Sequence, residues 1–427
     1  MSEVIYHSNM QIIQARWPDI ASSIECADVT SLKVASRSGE YTTILINNLQ
    51  MSSRHCPDNE AKVQAATLPS AEILTLYGFG MGHLPEQLLE SRPEIKTLRL
   101  VVLNMSVLRA IICTRDLSNL LSNNKIQISS ADTEIKPLTP YFVSPPDLQL
   151  SDLKFVKLRT QLTQEKVNYY NKLRFINGRN EAEIRIDRNA DLIKEDGDVG
   201  YFFNSAPGRK CCIVGAGPSL DRSLIWCKEF IKKDNPPVII AVDTALKPLS
   251  NIGIRPDIVV SIDMNKRSKF YYEGMEHTPL VYAPILANDV LKAWPGPRYV
   301  TYFNLPEYTP WKISHPKKTL VCLSSVIHTA TDLALKMGIR EIYFMGADFA
   351  FPHGKSYAKS LEEFSKPQDH LTEWLLDGYG NKILTQPNMV GYLLDLEELI
   401  ERNPDTKFFN TSRAGAIING TTYIKNV

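Results

Sequence analysis

At 427 residues the chain is long enough for two domains with extensions. Its 44% hydrophobic and 22% charged residues are ordinary for a globular protein, and 48 basic against 47 acidic side chains leave a formal charge of +1. That balance argues against a broad nucleic-acid or anionic-membrane footprint. The opening MSEVIYHSNMQ lacks the basic start and apolar core of a signal peptide. The most apolar stretch, TLRLVVLNMSVLRAIICT, is interrupted by Arg99, Asn104 and Arg109, so no membrane span is expected. Seven scattered cysteines without a CxxC pair fit a reduced, cytoplasmic setting, and no metal site is expected.

In chain order, residues 1–70 are mixed, with KVASR and YTTILIN as strands. From Leu74 to Ser129 strand and helix alternate: ILTLYGFG, the helical LPEQLLESR, the strand TLRLVVLN, a helix through Leu121, and KIQIS. This alternation predicts a parallel, Rossmann-like sheet in a domain spanning 1–140. Residues 136–150 hold four prolines and mark a boundary, and the polar, helix-prone stretch beyond them makes 141–205 a connector. A second α/β domain follows over 206–375, with 376–427 as a C-terminal extension. Its strands are CCIV, PVIIAVD, PDIVVSID, LVYAPIL, RYVTYFN and EIYFMGAD, and SSVIHTATDLALKMG is an amphipathic helix closed by Gly338.

Several of these residues suit chemistry. In GAGPSL, Gly215 and Gly217 allow a tight turn and Pro218 fits a helix start, so Ser219 and free helix-start amides are placed to face an anion or ribose. A plain strand-to-helix turn fits the spacing equally well, since Leu220 stands where a dinucleotide fingerprint has its third glycine. Asp243, Asp263 and Asp348 close successive strands and are expected to converge on one crevice at the carboxyl edge of the sheet. The segment GADFAFPHGKSYA carries Tyr357, whose phenol suits a hydrogen bond to a leaving phosphate. Asp196-Gly197-Asp198 matches a metal-binding D-x-D but is better read as a solvated turn. The earlier loop GFGMGHL, Gly78 to Leu84, is expected to hold no cofactor, because the next strand ends in Asn104 and not in a ribose-gripping acid.

The string IVGAGPSLDRS, then IIAVDTALKPLSNIGIRPDIVVSID and IYFMGADFAF, with GYGNKILTQPNM and FFNTSRAGAIINGT, resembles the motility accessory factor (Maf) family, flagellin glycosyltransferases with an MptE-like domain. The likeness runs from Lys210 to about Ile424. GFGMGHLPEQLL is similar to that family's N-terminal Rossmann-like domain. A more distant likeness, carried by the GPS turn and SSVIHTATDLALKMGIREIYFMGADFAFPHGKSYA, is to bacterial lipooligosaccharide sialyltransferases. These resemblances imply a Rossmann-like parallel-sheet catalytic domain behind a smaller Rossmann-like domain and a helical connector. They imply transfer of a pseudaminic, legionaminic or sialic type of nonulosonic acid from a CMP donor, with no tightly bound cofactor, to Ser/Thr hydroxyls of flagellin. Gly215, Ala216, Gly217, Pro218 and Ser219 would line the CMP pocket with Asp243 and Asp263 nearby, Ser324 and Ser325 would face the donor, and Tyr357 would contact the departing phosphate.

The chain departs from the sialyltransferase pattern twice. Ala350 replaces a second tyrosine, and DGYGNKIL carries no histidine where the catalytic one is expected, which leaves His370 and Asp377 as nearest substitutes. Motility accessory factors often have histidine at the position of Tyr357. The catalytic set is therefore Tyr357, Asp348, His370 and Asp377. Two other readings remain: an ATP-dependent pterin diphosphokinase using the three aspartates as magnesium ligands, and a non-catalytic flagellin-binding assembly factor.

Overall fold

The structure, a computed structural model, describes residues 3–38, 42–131, 137–163, 181–263, 273–321, 325–359, 361 and 373–424. The chain divides into two compact units, Met1–Thr163 and Gln164–Val427. Among the described residues no helix is long and apolar enough to cross a membrane.

The first unit opens with helices Glu3–Arg16 and Pro18–Glu25 and a small antiparallel sheet of β1 (Val34–Ser38), β2 (Thr42–Ile46) and β3 (Leu49–Gln50). Its main sheet joins β4 (Ile73–Tyr77), β5 (Thr97–Val102), β6 (Ile126–Ser130) and β7 (Tyr141–Val143) in the order β6-β5-β4-β7, all parallel. The apolar runs are strands because both faces of the sheet are covered, so continuous burial replaces alternation. Leu74, Leu76, Leu98 and Leu100 are core residues. α1 (His83–Ser91) follows β4, and α2 (Met105–Ile112) follows β5. Arg109, which interrupts the apolar stretch, lies on α2 and donates to the carbonyls of Glu25 and Ala27.

The second unit is built on nine parallel strands: β8 (Gly197–Asp198), β9 (Lys210–Val214), β10 (Val238–Val242), β11 (Ile258–Ser261), β12 (Leu280–Tyr282), β13 (Arg298–Val300), β14 (Glu341–Met345), β17 (Lys407–Asn410) and β18 (Thr421–Tyr423). Their spatial order is β18-β17-β14-β9-β10-β11-β12-β13-β8. A separate antiparallel hairpin pairs β15 (Trp374–Leu376) with β16 (Lys382–Leu384). From β9 the chain steps outward to β13, then returns to lay β14 on the other side of β9. The strand order therefore reverses between β9 and β14, the place where open α/β sheets bind ligands.

Two helices flank that reversal. α3 (Leu220–Phe230) packs Trp226 and Phe230 against the Tyr343 ring of β14, with centroids 5.5 and 5.0 Å apart. α4 (Val326–Lys336) lies across β9, β10 and β11. Right-handed crossovers in opposite directions place these helices on opposite faces of the sheet. The residues expected as an extension supply α5 (Pro387–Glu401), the edge strand β18 and its neighbour β17. Of the predicted connector and extension, residues 164–180, and with them much of the helix-prone stretch, lie outside the described residues.

Candidate functional site at the strand-order reversal

At the carboxyl ends of β9 and β14 two glycine turns interlock. The Gly215 N–H donates to Met345 O at 2.8 Å and the Gly217 N–H to Gly346 O at 2.9 Å. A Cβ on Gly215 would stand 2.7 Å from Gly346 O, and one on Gly346 would stand 2.7 Å from Gly215 O. Only glycine permits this approach, and Gly346 also has φ of +62°.

Asp348 is the pin of this arrangement. Its carboxylate accepts the Ser219 N–H at 2.8 Å and is buried against two glycines. Side chains on Gly217 or Gly415 would reach within 2.5 or 2.6 Å of its oxygens. Burial pushes its carboxyl up to about 6, against the opposite pull of Ser219. The Ser219 hydroxyl contributes to that pull from close by without reaching hydrogen-bonding geometry. The Ser219 amide, read from sequence as free for a ligand anion, is thus engaged by the protein's own carboxylate.

The other strand-end aspartates diverge. Asp243 is buried and accepts the Ser261 hydroxyl of the neighbouring strand, whereas Asp263 is exposed beyond β11. Ser325 caps α4: its hydroxyl accepts the Ile327 N–H, and its own N–H donates to Nδ1 of His328 in a reciprocal capping box. Burial lowers His328 to about 4, so it stays neutral and directs Nε2 at Tyr392 O, 2.8 Å away. The start of α4 reaches the turn through Ile327, whose Cδ1 would lie 3.1 Å from a Gly215 Cβ.

Tyr357 is half-buried on the loop after Asp348, and that loop is tied once to the glycine turn and once to the first turn of α3. The Ala358 N–H donates to Ala216 O at 3.0 Å, and the Lys359 N–H to the Asp221 carboxylate at 2.8 Å. Asp377 serves a local turn, accepting the N–H groups of Tyr379 and Asn381 in the β15–β16 hairpin. His370 and Ser324 lie outside the described residues. The structure therefore gathers Gly215–Ser219, Asp348, Ser325 and the Tyr357 loop, while Asp377 accepts main-chain N–H groups of its own hairpin.

The D-x-D is not a solvated turn. The Asp196 side chain is buried, receives a bidentate Arg298 pair at 2.8 and 2.9 Å and accepts the Tyr282 hydroxyl. Asp196 stands just before the edge strand β8 and Arg298 opens its neighbour β13, so strand pairing brings the carboxylate and guanidinium into a bidentate, charge-assisted pair.

The first unit repeats the device. Gly78, Gly80 and Gly82 all have positive φ, and Asp147 lies under them, accepting the Gly80 N–H and the Ser144 hydroxyl. Burial lifts its carboxyl to about 6 as well. Asn104 caps α2, accepting from Ser106 and Val107, so this strand end is occupied by a helix cap. Titration calorimetry with NAD or with S-adenosylmethionine is expected to show no heat. Micromolar binding of either would contradict the reading that this loop holds no cofactor.

Sequence comparison bears on the second unit. Residues 185–354 match the family described as "6-hydroxymethylpterin diphosphokinase MptE-like". The matched stretch, less than half of the chain, contains β8 to β14 and ends just past Asp348. A solved structure titled "Structure of MAf glycosyltransferase from Magnetospirillum magneticum AMB-1" aligns with 100% of this chain and 75% of its own, at 18% identity and a TM-score of 0.43. No curated protein matches the chain.

Proposed function

We propose that the second unit is a glycosyltransferase that moves a nonulosonic acid from a CMP donor to a Ser or Thr hydroxyl of flagellin in the cytoplasm. The observation that supports it most is the pair of bonds holding the Tyr357 loop to the glycine turn and to the start of α3 at the strand-order reversal. That tie holds the segment carrying Tyr357 close to the glycine turn, which the start of α4 also reaches through Ile327. The resemblance of the same segments to motility accessory factors supplies the donor and acceptor classes.

In this reading the bond from the anomeric carbon to the CMP phosphate breaks while an acceptor oxygen attacks. Charge grows on the departing phosphate, and Tyr357 donates to it. The acceptor proton needs a base. Asp348 is pinned by Ser219 and acts by holding the turn, and Asp377 is engaged by its hairpin, which leaves His370 as the remaining nominee from the sequence.

The diphosphokinase reading draws support from the description of the matched family. It needs carboxylates grouped around magnesium, whereas Asp243 accepts from Ser261 and Asp348 from Ser219, and among the described residues no three acidic, histidine or cysteine side chains are placed to share a metal ion. The two readings separate in a thermal-shift assay. CMP is expected to raise the midpoint of the purified protein, and Mg-ATP to leave it unchanged. The reverse pattern would overturn the transferase proposal.

A further inference from the structure

The first unit has a strand-order reversal of its own. Its chain runs from β4 outward through β5 to β6, then returns to lay β7 on the other side of β4. At the carboxyl ends of β4 and β7 a cavity of about 190 Å³ opens, in the place where such sheets take ligands. One wall is the glycine turn after β4, another is the segment after β7, and the helix Pro57–Ala66 closes a third side. The pinning aspartates correspond as well. In each unit a buried aspartate that follows the strand across the reversal accepts an N–H of the glycine turn: Gly80 for Asp147, Ser219 for Asp348. The transfer chemistry above leaves this cavity unassigned.

Its lining disfavours anions. Among the described residues no lysine or arginine borders it, whereas one carboxylate does. Glu60 is exposed, and its Oε2 accepts the Ser53 N–H at 2.7 Å, which steadies the carboxylate and leaves Oε1 for a ligand. His83 is half-buried on the wall, with Nδ1 3.5 Å from the Asp58 carboxylate. Burial, with Arg115 nearby, lowers its imidazole to about 4, so the ring is uncharged. Its proton therefore sits beside Asp58, and Nε2 keeps a lone pair. Gln64, one helical turn after Glu60 and half-buried, adds an amide. Much of the remaining wall is apolar, with Met51, Phe79, Met81 and Phe142.

A carboxylate and a lone pair above an apolar floor select a ligand that donates. An ammonium gains a charge-assisted bond to Glu60, and aromatic faces attract a cation rather than an anion. Size limits the rest of the ligand. An apolar cavity of about 150 Å³ is enough to hold benzene. This one therefore takes a single ring with a short chain, and is too small for NAD or S-adenosylmethionine. We propose that the cavity binds a small primary amine carried on one apolar ring, with the ammonium at Glu60 and the ring against Phe79, Met81 and Phe142. The site belongs to the first unit alone and stands independently of the transferase reading.

The test uses the whole protein with three probes of similar shape: phenethylamine, the uncharged 2-phenylethanol and the anionic 3-phenylpropanoate. Ligand-observed NMR titration is expected to show the amine binding about fivefold more tightly than the alcohol, the upper end for a carboxylate–ammonium pair open to solvent. The acid is expected to bind more weakly than either. Glu60→Gln is expected to erase the advantage of the amine over the alcohol. Gln64→Trp, which fills the cavity from its rim, is expected to abolish detectable binding of both. Glu60 is exposed, so its replacement does not threaten the fold and carries the test if Gln64→Trp proves unstable. Equal binding of amine and alcohol, an amine advantage that survives Glu60→Gln, or no saturable binding of the amine would overturn the proposal. Preference for the acid would overturn it in favour of an anion site. Amine binding unchanged in a folded Gln64→Trp protein would place the probe elsewhere and overturn the site.

Discussion

Replacing Tyr357 by phenylalanine is expected to slow sugar transfer about 10²-fold while barely changing donor affinity or thermal stability. The residue is half-buried, and its ring stays in the variant, so packing is conserved. Its loop is fixed by main-chain bonds from Ala358 and Lys359 rather than by the phenol. The lost hydroxyl therefore matters only where charge develops. An interaction made chiefly in the transition state lowers kcat and kcat/KM together and leaves ground-state binding alone. Single-turnover transfer is the direct assay, with slow donor hydrolysis as the substitute when acceptor protein is lacking. A wild-type rate in Tyr357→Phe would make the phenol structural and move phosphate stabilisation to Ser325 or to backbone amides.

Gly217→Val is expected to abolish CMP binding and also to destabilise the second unit, by about 3 kcal/mol at the upper end of overpacking costs. For a domain of this size that corresponds to a fall of roughly 10 °C in midpoint. The sequence alone suggests a milder result, loss of ligand from an intact fold. The structure revises it, since the first added carbon would lie 2.5 Å from an Asp348 oxygen and 2.7 Å from Gly346 O. Neither can yield cheaply: one is main chain at the end of β14, and the other is a buried carboxylate holding the Ser219 N–H. Gly415→Val meets the same carboxylate from the opposite side, at 2.6 Å, and is expected to unfold at a similarly lowered temperature. Differential scanning calorimetry of both variants decides the matter. A wild-type midpoint in either would mean that Asp348 is not clamped between them.

Runs such as PVIIAV and EIYFM are so continuously apolar that both faces must be covered, and the intervening amphipathic segment can only be a crossover helix. Residue order alone therefore determined an α/β protein with two parallel-sheet regions, and the glycine turn after CCIV announced itself by composition. What each polar group at the strand ends does was decided by tertiary structure. Asp243, Asp263 and Asp348 look alike in sequence, each closing an apolar run. They end in different environments because their neighbours come from other parts of the chain: Asp243 is buried and accepts from Ser261, Asp263 is exposed, and Asp348 is buried and accepts from Ser219, 129 residues away. The Asp377 carboxylate instead accepts the N–H groups of Tyr379 and Asn381 in the turn of its own hairpin. Periodicity reports how much of a segment is buried, but a carboxylate's partner depends on which loops the strand order brings side by side, and the reversal between β9 and β14 is a property of the folded sheet.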